Sequence, residues 1–94
     1  MKKTRQFNYG QWTITIELKE MYNQYRHEDE FYCSIDCTGN WYSTQGIYYQ
    51  NTKLNYVASY DDNIVPHNLK HKIDYSCSRL ILSAYTEKER QKAV

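Results

Sequence analysis

Three cysteines, three histidines and two short acidic runs are the residues of this chain whose types could carry chemistry. Cys33 and Cys37 stand four apart. On an extended strand that is roughly 13 Å, at ~3.3 Å per residue, beyond the reach of a disulfide or a shared metal. They read as small buried apolar residues, with Cys77 packing against them from another element. His67 and His71 have the i, i+4 spacing that can bind a metal on a helix. The metalloprotease version needs a glutamate after the first histidine and a third ligand. Here Asn68 follows His67 and no third ligand is evident, so solvated helix histidines are expected. The runs Asp61-Asp62 and Glu28-Asp29-Glu30 suit turns and caps, because neighbouring carboxylates on a strand diverge. A catalytic pair must instead converge across a cleft. Serine, histidine and aspartate all occur, but without a nucleophile-elbow signature. No catalytic residue, no metal site and no cofactor is assigned, and a non-enzymatic protein is expected.

Tyrosine is the remaining signal: 11 of 94 residues, against 2 Phe, 3 Gly and 1 Pro. Its ring is large and apolar, its hydroxyl bonds, and its side chain is stiff. Interfaces and binding loops over-use it for those reasons.

The elements that would position these tyrosines follow from hydrophobic period. Residues 11–20 alternate strictly, with Trp12, Ile14, Ile16 and Leu18 on one side and Thr13, Thr15, Glu17 and Lys19 on the other. Period two with β-branched residues predicts a half-buried strand. Residues 21–29 are polar and unpatterned, a long connection or the tip of a wide hairpin. Strands are further expected at about 30–38, 41–49 and 54–60, with turns at Thr38-Gly39-Asn40 and Gln50–Lys53. A two-residue loop at Gly39-Asn40 would leave both faces mixed. A three-residue loop at Thr38-Gly39-Asn40 groups Phe31, Cys33, Ile35 and Cys37 with Trp41, Ile47, Tyr49, Leu54, Tyr56, Ala58 and Tyr60. One consistently apolar face favours that register. The opposite face then carries Tyr32, Ser34, Asp36, Tyr42, Thr44, Gly46, Tyr48, Asn55, Val57 and Ser59.

From about 66 to 90 the period becomes helical, with Leu69, Ile73, Cys77, Leu80, Ile81 and Ala84 on one stripe. The helix start is open between a cap at Asp62 or Asn63, with Pro66 in the first turn, and a shorter helix capped by Asn68. The predicted fold is α+β: a four-stranded antiparallel β-meander packed on one C-terminal α-helix in two layers, a single domain over residues 1–94. On the back of the helix, His71, Tyr75 and Leu82, bordered by Tyr85, form a second candidate surface, for a homodimer or another partner.

Composition narrows the classes. Net charge is +1, from 12 basic and 11 acidic residues. That excludes a strongly acidic DNA mimic and lacks the positive field of a dedicated duplex binder. Few and odd cysteines argue against a disulfide-framed secreted domain. The basic start lacks the apolar stretch of a signal peptide, and no run approaches the ~18 apolar residues of a membrane span. A cytoplasmic protein is expected. Frequent Lys, Asn, Ile and Tyr, with their AT-rich codons, suit a low-GC bacterium or a phage or mobile element in one, and then the host cytoplasm.

The function expected from these features is a small protein-binding module, an inhibitor or adaptor acting by steric surface contact, of the anti-defence type if phage-encoded. Its partner is a protein of unnamed identity, and its site Tyr32, Asp36, Tyr42, Tyr48 and Val57. The alternative is a single-stranded nucleic-acid-binding module that stacks bases on the same tyrosines. That face offers few cations: Lys19 alone, if the first strand adjoins.

Overall fold

In the computed structural model the described residues are 3–92. Four antiparallel strands form one open sheet in the order β1 (Thr4–Tyr9), β2 (Trp12–Asn23), β3 (Glu28–Tyr42) and β4 (Tyr48–Lys53). A 3₁₀ turn at Ala58–Tyr60 leads to α1 (His67–Lys92). The α+β class, the four-strand meander, the strand over residues 11–20 and the C-terminal helix are as expected; the other strand boundaries differ.

The first addition is β1. Its residues Arg5, Phe7 and Tyr9 stand opposite Ile16, Ile14 and Trp12, so they share the apolar face. A two-residue loop, Gly10-Gln11, closes the hairpin. Only Gly10 has positive φ (58°), the φ pattern of a type II′ turn, whose twist suits the flanking strands.

The second change concerns Gly39. The expected turn at Thr38-Gly39-Asn40 does not exist, and β3 runs through it to Tyr42. The glycine is there for close approach. A Cβ on it would lie 2.5 Å from Cε3 of Trp12, so the indole rests directly on the backbone. The expected strands 30–38 and 41–49 are therefore one strand as far as Tyr42. Their grouping of Phe31, Cys33, Ile35 and Cys37 with Trp41 survives, because odd positions share a face along one unbroken strand. The real turn is Ser43–Ile47. There Ser43 Oγ accepts from Ile47 N at 3.1 Å and Gly46 takes φ 84°.

β4 occupies the residues expected to turn, Gln50–Lys53. It pairs with β3 only over Thr38–Tyr42, with a bulge at Asn40 and Gln50-Asn51. Asn51 has φ 46° and its N–H donates to Asn40 Oδ1 at 2.7 Å. Gln11 holds the same Asn40 backbone, donating to its carbonyl and accepting from its N–H.

The expected strand 54–60 is absent. Leu54 is buried and donates to Cys37 O at 2.9 Å. Then Asn55 Oδ1 accepts from Ala58 N at 2.7 Å and Ser59 Oγ donates to Tyr56 O at 2.7 Å. These side chains offer the backbone local partners, which outcompete a ladder despite the alternation of Leu54, Tyr56, Ala58 and Tyr60.

Residues 21–29 prove to be the tip of a wide hairpin. β2 and β3 pair out to Asn23 opposite Glu28. Asn23 Oδ1 accepts from Tyr25 N and Arg26 N, and His27 closes the tip with φ 52°.

The helix begins after Pro66, whose carbonyl accepts from Leu69 N and Lys70 N. Neither expected cap is used: Asp61 instead organises its own turn, accepting from Asn63 N at Oδ1. Leu69, Ile73 and Ala84 are buried and Cys77 and Leu80 pack against the core. Leu69, Ile73, Cys77 and Leu80 join Trp12, Ile14, Ile16, Cys37, Trp41, Leu54 and Val65 in one core. The particle is long and thin, 54 × 28 × 19 Å, set by a 15-residue β3 and a 26-residue α1.

Candidate protein-interaction surface

The outer sheet face carries Tyr32, Asp36 and Tyr42 on β3 and Tyr48 on β4, as the alternation required. They do not form one patch. Tyr32 and Tyr42 lie ten residues apart on β3, roughly 33 Å at ~3.3 Å per residue. Tyr42 and Tyr48 are cross-strand partners with ring centroids 4.9 Å apart. Tyr32 stands opposite Lys19 at the far end. Between them, Asp36 is paired with Lys53 at 2.7 Å amid Thr13, Thr15, Ser34 and Thr38. Base stacking on successive nucleotides needs neighbouring aromatics, which on this face the Tyr42/Tyr48 pair supplies at one end only. Val57 leaves the sheet altogether. It precedes the 3₁₀ turn, 79% exposed, because the strand expected around it is a turn.

The helix-back group also divides. Tyr85 belongs to the helix–sheet seam. Its ring meets Phe31 edge-on at 4.9 Å, and its hydroxyl accepts from Phe31 N at 3.3 Å. Tyr75 and Leu82 are exposed. Arg79 donates to the Tyr75 hydroxyl at 3.1 Å. His71 and His67 face each other with Nε2 atoms 3.0 Å apart. Among the described residues no group of three or more His, Cys, Asp or Glu is placed to hold a metal.

Three residues expected on the apolar face are instead exposed: Ile47, in the Ser43–Ile47 turn, and Tyr56 and Tyr60. The two tyrosines are the ones that matter for a surface. Their rings meet at 5.1 Å on the lobe of residues 55–60. Tyr49, by contrast, is core-side as expected, stacked on Trp41 at 4.3 Å. The lobe is pinned to α1 by Lys70, which donates to Tyr60 O at 2.7 Å and to Asp62 Oδ1. That ammonium holds the Asp62 carboxyl below the usual range. Partial burial, then the neighbouring Tyr56, push the Tyr60 hydroxyl above its ordinary value.

Between this lobe and β3 runs a groove of about 670 Å³, within the roughly 300–1,000 Å³ common for ligand pockets. Tyr32, Ser34 and Asp36 form one wall, Tyr56 and Tyr60 the other, with Leu54 and Ile73 deeper in. It exists because β4 stops at Lys53 while β3 continues to Glu28. Its signal in the sequence was Asn55, whose turn-forming side chain ends the strand run.

Among the described residues no helix is long and apolar enough to cross a membrane. No family model, no curated protein and no solved structure matches this chain.

Proposed function

We propose that this chain is a protein-binding module, an inhibitor or adaptor that works by surface contact, and that the groove between β3 and the Tyr56/Tyr60 lobe is its main contact site. The observation that supports it is the exposed aromatic pair on that groove. Tyr56 is 79% exposed, and the buried core is assembled without it. Aromatic residues at the rim of a partly apolar groove are the usual anchors of protein interfaces, where tyrosine is enriched among residues that dominate binding. The Tyr42/Tyr48 pair is a smaller second contact at the other end of β3.

The test is capture from a lysate of the source cells or their host, using the full chain as bait. The double variant Tyr56→Ser/Tyr60→Ser changes two exposed side chains and leaves the buried core residues in place. Wild type is expected to retain a specific protein that the double variant loses. Undiminished capture by a folded double variant would move the site elsewhere, and no specific capture by wild type would remove the reading itself.

A further inference from the structure

We propose that the open edge of β3 over residues 32–36 takes an extended peptide segment of a partner protein as an added strand. The inference rests on the protein-binding reading and names the chemistry of the partner at that groove.

Backbone direction comes first. In an antiparallel ladder each residue turns its N–H and C=O to the same side, and successive residues alternate sides. Cys37 O accepts from Leu54 N on the β4 side. Phe31 N donates to Tyr85 Oη on that same side. Odd residues of β3 therefore face away from β2, and Cys33 and Ile35 lie between these two fixed points. Ser34 and Asp36 face β2, opposite Glu17 and Thr15. Among the described residues, neither the Cys33 nor the Ile35 N–H meets an acceptor, since β4 pairs with β3 only from Thr38 onward.

The edge is also unguarded. Natural edges are blunted by proline, bulges, inward charges or a covering element. β4's own outer edge has such a bulge at Gln50-Asn51. Between the Tyr85 contact at Phe31 and the Leu54 contact at Cys37, the 32–36 edge has none of these; Cys33 and Ser34 are small, and the groove runs directly beside it. Donors and acceptors repeating every second residue are matched by one ligand chemistry, extended polypeptide backbone.

The walls specify the side chains. An added strand would alternate its side chains as β3 does. One row would lie toward Leu54, Tyr60 and Ile73, which favours apolar residues. The other would lie beside Ser34 and the Asp36–Lys53 pair, which favours polar ones. The ligand class is thus a short extended segment with alternating apolar and polar residues.

A random library of short linear peptides, panned against the immobilised full chain, supplies the probe. The tightest peptide is then titrated into ¹⁵N-labelled protein. The expected result is alternation in the selected sequences and slowed exchange at the Cys33 and Ile35 amides. Ile35→Pro removes an outward N–H and leaves the bonds of Ser34 and Asp36 to β2 intact, and should weaken binding about tenfold. Should that variant not fold, Tyr60→Ser at the groove wall is expected to weaken the same peptide. Failure to select any peptide would overturn the proposal. So would binders that protect Thr4, Gln6 and Asn8 on the outer edge of β1 instead. A dimer that protects Cys33 and Ile35 without peptide would also overturn it, the edge then being covered by a second copy. If a captured protein binds but leaves these two amides unprotected, strand addition fails while the protein-binding reading stands.

Discussion

The cysteines show how far residue identity alone reached. Four-residue spacing on a strand excluded a Cys33–Cys37 bridge, and all three thiols are free. Geometry adds the contact: Cys33 Sγ–H donates to Cys77 O at 3.8 Å, across the sheet–helix interface. Burial pushes the Cys37 thiol up to about 11 and, with Cys33 beside it, the Cys77 thiol up to about 12, from an ordinary 9.0. Such thiols are poor nucleophiles near neutral pH. Because the fold favours their protonated form, the stability they lend is complete below about pH 9. It is lost as pH rises through about 11 and then about 12. Alkylation by iodoacetamide near neutral pH should therefore be slow at Cys37 and Cys77, and urea midpoints should fall on moving from about pH 8 to above pH 10. Fast labelling of the folded protein, or midpoints flat across that range, would contradict this picture.

At the scale of elements, legibility followed periodicity. The strict alternation of Trp12 to Lys19 and the three-and-four spacing of Leu69, Ile73, Cys77, Leu80 and Ala84 have one physical reading each, and both elements are where that reading puts them. Gly39 and the 54–60 run have two. A glycine marks a turn or a close approach with the same letter, and only the position of Trp12 decides between them. Alternation at Leu54–Tyr60 suits a strand, but Asn55 and Ser59 supply local partners that bend the chain first. Gly39→Ala tests the first point. With a Cβ due 2.5 Å from the indole, the variant should lose about 1–3 kcal/mol, read as a lower urea midpoint with unchanged slope. A variant as stable as wild type would mean that Trp12 has room to move off the strand.

For the molecule as a whole, the difference that matters is between a face and an edge. The outer face was readable, because Tyr32, Asp36, Tyr42 and Tyr48 follow from parity. Their separation was not, because it depends on β3 being a single 15-residue strand. The groove was not readable either, since it arises from a mismatch in length: β3 outruns β4, and the chain after Lys53 folds away as a tyrosine-bearing lobe pinned by Lys70. The proposed contact is thereby concentrated on a stretch of uncovered backbone flanked by Tyr32 and Tyr60, a feature without a residue signature. Amide hydrogen exchange of the free protein tests it most directly. Cys33 and Ile35 should exchange fast while Ser34 and Asp36, bonded to β2, exchange slowly, an alternation that strand pairing on one side alone produces. Uniform protection from Tyr32 to Asp36 would contradict the account. Another strand would then cover the edge, and residues 54–60, in the extended form their alternation suits, would be the first place to look.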